Sequence, residues 1–294
     1  ANSFKEKDMT RTVYVNGEYL PETEAKVSIF DRGFLMADAV YEVTSVIGGK
    51  LIDFAGHKAR LERSLSELEM VSPVTTDELL AIHRELIAKN DLDEGGIYLQ
   101  ITRGAGTDRD FVWPDPEEVS GGIVLFTFAK PLLKSKVMDE GIKVISVEDL
   151  RWARRDIKTT QLLYPSMAKM KAKKAGCSDA WLVKDGFVTE GYANNAYIVK
   201  DGTIITRQLS TDILHGITRA AILRFAKEAQ IKIEERPFTI AEAQAADEAF
   251  VTSATGFSQP VIEIDGVTVA DGKAGPIAKR LREIYVEEML KTAI

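Results

Sequence analysis

The sequence predicts an α+β fold in two domains, and three observations carry that reading. Short runs of alternating apolar residues, joined by Asn-Gly, Gly-Gly or Asp-Gly pairs, recur along the chain and mark β-hairpins. Amphipathic helical stretches fall between the hairpins without strict strand–helix alternation, which separates α+β from doubly wound proteins. A length of 294 residues, 45% of them hydrophobic, suffices for two cores of ordinary size.

In chain order, "VYVNGEYL" opens with a hairpin turning at Asn16-Gly17, and "VIGGKLI" turns at Gly48-Gly49. Residues 57–70 read as a helix with Leu61, Leu65 and Leu68 on one stripe. Thr75 and Glu78 make a capping box ahead of "ELLAIHRELIAKN". The runs "GIYLQITRG" and "GGIVLFTFAK" are apolar enough for central strands. The polar, proline-containing "AKPLLKSKVMDEG" then sets a boundary, so that residues 1–130 form a smaller domain, 131–141 a linker and 142–294 a larger domain. Beyond it come the hairpins "WLVKDGFVTEG", "AYIVKDGTIIT" and "VIEIDGVTVADG". The basic run Lys169, Lys171, Lys173 and Lys174 reads as a solvated helix end completed by Gly176. In "GITRAAILRFAKEAQ" Ile217, Ala221 and Phe225 recur every four residues, Thr239 and Glu242 cap a short helix, and Pro276 starts the last one.

Charge and composition narrow the function. A net charge of −7 and a pI near 5.3 argue against nucleic acid or an anionic membrane as partner. One cysteine, Cys177, precludes an intrachain disulfide framework and suits a reducing cytoplasm. No stretch reaches transmembrane length, and "ANSFKEKDMT" lacks the apolar core of a signal peptide. Three scattered histidines and one cysteine make a classical zinc site improbable, so no metal is expected.

Five segments can carry chemistry. "WARRDIKTTQLL" places Lys158 where an extended path passes into a helical one. An amine there attacks a carbonyl only when neutral, which requires desolvation or a neighbouring cation. Arg154 and Arg155 are adjacent in sequence, but an extended chain points them in opposite directions. "DGFVTEGYANNAYIV" sets Glu190 at a strand end, where a buried carboxylate could pair with a cationic ring nitrogen. "DILHGITRAAIL" begins a helix at Gly216, Ile217 and Thr218, whose free N–H groups and hydroxyl suit a phosphate. "VTSATGFSQPV" supplies Ser253, Ala254 and Thr255, with hydroxyls and backbone donors, and "HKARLERS" supplies Arg60, able to fork onto phosphate oxygens.

In order, "DRGFLMADAVYEV", "HKARLERS", "YLQITRG", "RRDIKTTQLL", "VTEGYANNAYIV", "LHGITR" and "TSATGFSQPVIEIDG" span residues 31 to 266. With these segments the chain resembles the pyridoxal-phosphate aminotransferases of fold type IV, and is similar above all to the D-amino-acid aminotransferases among them. The resemblance implies pyridoxal 5′-phosphate as cofactor, a homodimer, and ping-pong transfer of an amino group from a D-amino acid to a 2-oxo acid. It makes Lys158 the Schiff-base lysine and proton shuttle, and Glu190 the partner of the pyridine nitrogen. Arg60, Gly216, Ile217, Thr218, Ser253, Ala254 and Thr255 would hold the phosphate, with Leu214 against the ring and Asn194 in the cofactor turn. Tyr41 would line the substrate pocket and Arg109 would bind the α-carboxylate, in the neighbouring subunit's pocket if the loop crosses over.

The chain departs from the family at Ala37 and Ala39, where glycines are common, at Tyr192, Ala193 and Asn194, where several relatives have serines, and at Ala254, often a hydroxyl residue. Phe111 stands where a carboxylate-binding histidine is expected, which opens (R)-selective amine transamination as an alternative. Branched-chain transamination, a lyase on aminodeoxychorismate and a non-catalytic cofactor-binding protein are the other readings. His57 belongs to the Arg60 motif and is expected to pack or cap rather than catalyse, and His83 and His215 carry no motif.

Overall fold

The computed structural model describes residues 10–106 and 108–294. Its first sheet is built from strands between Thr12 and Ala129, and every pairing in it is antiparallel. The order runs Glu18–Pro21, Thr12–Val15, Gly122–Ala129, Glu94–Thr102, Ala39–Ile47, Lys50–Leu51. Asn16 and Gly17 have φ of 46° and 100°, the left-handed conformations that the tight hairpin demands. The axis of the sheet is the long pairing of Ala39–Ile47 with Glu94–Thr102, in register from Ala39 opposite Thr102 to Ile47 opposite Glu94.

Alternation divides these strands into two faces. Val40, Val46, Ile97, Leu99 and Ile101 point into a core closed by Leu61 and Leu65 of the helix Phe54–Glu67 and by Leu79, Ile82 and Leu86 of Thr76–Lys89. The opposite face carries the stacked rings of Tyr41, Tyr98 and Phe126, with centroids 5.6 and 4.8 Å apart. The first of those helices begins and ends three residues earlier than its apolar stripe predicts. Asp53, at φ 54°, turns the chain immediately before it, and Leu68 leaves the helix yet still packs on the core. Thr75 and Glu78 form the expected capping box, each side chain accepting from the other's backbone N–H.

The second sheet is mixed, and its strands lie between Ile142 and Thr268. From one edge it runs Ile233–Glu235, Thr203–Thr206, Asn195–Lys200, Glu248–Ser253, Phe257–Ile264, Ile142–Glu148, Asp179–Lys184, Phe187–Gly191. Ile142–Glu148 lies parallel to both its neighbours. The connection from it to Asp179–Lys184 is therefore a crossover, made by the Lys158 segment and the helix Leu163–Lys174. The helices Ile217–Glu228 and Pro276–Thr292 bury Ala221, Phe225, Leu281 and Tyr285 against Tyr197 and Phe250 of the sheet, and Trp181 and Phe238 lie in a further cluster. Thr239 and Glu242 make the second capping box, and Pro276 occupies the first turn of the last helix. Among the described residues, no helix is long and apolar enough to cross a membrane.

Several contacts join the halves of the molecule, among them an ion pair and a pair of backbone hydrogen bonds. Arg63 Nη2 lies 2.6 Å from Asp156 Oδ2, and Leu51 exchanges both backbone hydrogen bonds with Ile294 at 2.7 and 3.1 Å. The last helix has an unusual cap. Its N-cap, Gly275, offers no side chain, so the buried Glu248 reaches from its strand to accept from the N–H groups of Ile277 and Ala278, at 3.1 Å each. Replacing Glu248 with Ala leaves those donors buried without a partner and should cost about 1–3 kcal/mol. Urea unfolding followed by tryptophan fluorescence measures this, and an unchanged midpoint would contradict the cap.

Candidate active site

The crossover out of Ile142–Glu148 explains where Lys158 stands. Before its helix begins, the segment pairs with the opening of the strand Ala39–Ile47 of the other sheet. Tyr41 N–H donates to Lys158 O at 3.0 Å and Thr160 N–H to Ala39 O at 3.1 Å, while Lys158 N–H donates to Ser64 Oγ at 3.4 Å. This turns the Lys158 side chain into a cleft between the sheets, with Nζ 4.2 Å from the centre of the Tyr41 ring. The flanking arginines do diverge. Arg154 reaches outward to Glu67 and Asp156, whereas Arg155 is buried against Asp212 at 2.9 Å.

The cleft, of about 900 Å³ out to its open mouth, also collects Arg60, Glu190, Asn194, Leu214, Gly216, Ile217, Thr218, Ser253 and Ala254. Two residues expected here lie elsewhere. Thr255 belongs to the same turn as Ser253 and Ala254 but does not line the cleft. Arg109 is exposed on the 104–114 loop, its guanidinium carbon 5.0 Å from the equally exposed Phe111 ring, and does not reach the cleft of its own chain.

Glu190 is 3% exposed, at the end of Phe187–Gly191. Its carboxylate accepts from Arg151 Nη1 at 2.6 Å, from Asn195 Nδ2 at 2.9 Å, and from the Leu214 N–H at 3.1 and 3.2 Å. Burial raises its pKa above the ordinary carboxylate value, opposed chiefly by Arg151. Arg151 is itself held by both oxygens of Asp149, whose second partner is the Thr189 hydroxyl at 2.7 Å. The sequence reading missed this relay, because Asp149 and Arg151 stand in an apparently polar loop. It also favoured Asn194 over its neighbour. Asn194 lines the cleft but donates to Asp179, whose carboxyl burial raises to about 6, while Asn195 is the one that binds Glu190. Strand alternation separates the two, since Asn195 opens the strand Asn195–Lys200 and points inward.

At the phosphate-like end, no side chain caps the helix Ile217–Glu228 at Gly216, so its first N–H groups face the cleft. A Cβ at Gly216 would lie 2.1 Å from Asn195 Oδ1, which restricts the position to glycine. Arg60 comes to this end already engaged. Its Nε and Nη2 both donate to Glu42 at 2.7 Å, and Nη1 faces the His215 carbonyl at 3.4 Å. His57 Nδ1 is 2.7 Å from the same carboxylate. Burial works against a charged Glu42, yet Arg60 and His57 outweigh it and hold the carboxyl at about 2. The sequence reading missed Glu42 too, although an acid at a core-facing position of an apolar strand, opposite in phase to Tyr41, was the signal that could have found it.

Comparisons with known proteins agree with this geometry. The family model described as amino-transferase class IV matches residues 39–264. D-alanine aminotransferase of Listeria monocytogenes is 38% identical over 279 residues, 95% of this chain and 96% of that protein. D-alanine aminotransferase of Staphylococcus haemolyticus is 39% identical over 272 residues, 92% of this chain and 95% of that one. Among solved structures, the branched-chain amino acid aminotransferase of T.th. complexed with N-(5′-phosphopyridoxyl)-L-glutamate superimposes with a TM-score of 0.85 at 27% identity, over 96% of this chain and 95% of that one. With the family model covering most of its length and its lysine, glutamate and open helix end meeting in one cleft, the chain belongs to the class IV aminotransferases, enzymes that depend on pyridoxal 5′-phosphate.

Proposed function

We propose that this enzyme takes the amino group of a D-amino acid and passes it to a 2-oxo acid in two half-reactions, as a homodimer in the cytoplasm. The observation that carries the reading is the meeting of Lys158, Glu190 and the uncapped N-terminus at Gly216 in one cleft. Relatives named D-alanine aminotransferase, at 38% and 39% identity over nearly the whole chain, support the D-amino acid. A single cysteine supports a reducing compartment.

The residues present fit the cofactor: an amine inside the cleft, a buried carboxylate at one end and backbone donors at the other. When bound, pyridoxal 5′-phosphate supplies a sink for the electron pair left at the substrate Cα. Lys158 would hold the cofactor covalently and, once released, take the proton from the substrate Cα and return one to the cofactor carbon C4′. Glu190, fixed by Arg151 and Asn195, would keep a proton on the ring nitrogen. Ile217 and Thr218, Ser253 and Ala254, and Nη1 of Arg60, which also donates to the His215 carbonyl at 3.4 Å, would hold the phosphate. Leu214 would lie against the ring and Tyr41 beneath the amine, with Asn194 framing the turn beside them.

Arg109 is our candidate for the α-carboxylate, delivered to the partner's cleft. The homodimer rests on two observations. Arg109 does not reach the cleft of its own chain, and the apolar side chains of Phe111 and Val112 on the same loop are 76 and 72% exposed. Ile29 and Phe34 are left exposed in the same way, by 66 and 70%. We also read the two sheets as the two domains, joined by a linker at residues 131–141. A second substrate class, (R)-configured aryl amines, is favoured by the Tyr41, Tyr98 and Phe126 stack next to the amine.

Five outcomes test this. The enzyme should be yellow and lose its colour rapidly on mixing with D-alanine, more slowly or not at all with L-leucine. Bound cofactor without any half-reaction would instead favour a binding protein. Lys158→Ala should abolish the borohydride-fixed colour, and Glu190→Gln should slow the D-alanine half-reaction on the order of 100-fold while cofactor stays bound. An unchanged rate in stopped flow would remove Glu190 from the role. Arg109→Ala should lower kcat/KM for D-alanine on the order of 30-fold and leave (R)-1-phenylethylamine unaffected. Co-expressing Arg109→Ala with Lys158→Ala should restore full-affinity sites in mixed dimers; no restoration would place Arg109 outside the partner's cleft.

A further inference from the structure

The turn 253–256 reaches the cleft from between two strands, and its shape is held from outside it. Within the turn, Ser253 Oγ accepts from the Gly256 N–H at 3.0 Å, which leaves the carbonyls of Ala254 and Gly256 to be satisfied elsewhere. Ser45 Oγ donates to Ala254 O at 2.6 Å. Ser45 is 1% exposed and belongs to the other sheet, on the face of Ala39–Ile47 that also presents Tyr41 and Val43 to the cleft. Arg282, from the last helix, donates through Nη1 to Gly256 O at 2.9 Å and through Nη2 to Leu132 O at 2.8 Å. Leu132 lies in the segment between the sheets, and its own N–H is held by Glu94 at 2.5 Å.

The next residue, Phe257, has φ of 57°, in the left-handed region that costs a bulky side chain. It is 1% exposed and 5.2 Å below the Arg282 guanidinium. The turn is thus strained at its end and clasped at two carbonyls by residues from separate parts of the chain. Neither Ser45 nor Arg282 lines the cleft.

We propose that Ser45 and Arg282 are positioning residues for the cofactor phosphate: by fixing the carbonyls of Ala254 and Gly256 they aim the Ser253–Ala254 donors at the phosphate. The proposal rests on the reading that this turn binds the phosphate. It also makes phosphate binding depend on the docking of the two sheets, since Ser45 and Ala254 belong to different ones.

The test compares pyridoxal 5′-phosphate with pyridoxal, which has the same reactive ring and no phosphate. Full-length chain stripped of cofactor is titrated with each, following ring absorbance. Ser45→Ala should raise the Kd for pyridoxal 5′-phosphate about fivefold, the loss of one hydrogen bond, and leave the Kd for pyridoxal unchanged. Arg282→Gln should act in the same direction. If it does not fold, Ser45→Ala decides alone. An unchanged Kd for pyridoxal 5′-phosphate, or an equal rise for both ligands, would overturn the positioning role. A wild-type chain with no preference for the phosphorylated ligand would instead overturn the phosphate reading itself.

Discussion

Two backbone hydrogen bonds, from Tyr41 N–H to Lys158 O and from Thr160 N–H to Ala39 O, set the geometry on which the cleft depends. Each is worth about 1 kcal/mol net, so their importance is directional. They stitch the crossover of one sheet to the strand Ala39–Ile47 of the other. Because side chains alternate along an extended segment, a slip of one residue would turn Lys158 away from Tyr41. The lysine is therefore placed by the docking of two sheets, and its own local sequence has little say in where it points.

Around it, charge is buried only with compensation. Glu42 is shared by Arg60 and His57, Glu190 is held by Arg151 and Asn195, and Asp212 takes Arg155, Lys184 and Arg207. Desolvation makes each cluster costly, and removing one partner of such a pair costs about 3–5 kcal/mol. What the clusters supply is fixed orientation. Glu190 has three directed donors and little freedom to rotate, and Arg60 is clamped along one edge with the other turned to the cleft. Rigid electrostatics of this kind does not have to reorganise as a reaction proceeds.

The substrate side is built differently. On this side the cleft presents Tyr41, whose ring stacks on Tyr98, and the Arg109 guanidinium lies outside the cleft on an exposed loop beside the exposed ring of Phe111. In the proposed reading the tasks are divided: bond chemistry falls to residues of the cleft, and recognition of the carboxylate would fall to the loop that carries Arg109.

Much of this was legible in the sequence because the signals are local. Hairpin turns at Asn-Gly and Asp-Gly, both capping boxes and the helix opened by Pro276 depend on neighbours within four residues, and all formed as read. The lysine, the glutamate and the Gly216 helix end were likewise found from short motifs. What escaped were partners distant in sequence: Arg151 for Glu190 across 39 residues, Glu42 for Arg60 across 18, Ser45 for Ala254 across 209. Asn195 escaped for another reason, since only the strand register tells it from Asn194. The sequence by itself determined which groups could do the chemistry, since turn geometry, capping and helix ends are properties of a few consecutive residues. Tertiary structure alone decided which of those groups face one another, because burial and pairing belong to the packing of two sheets.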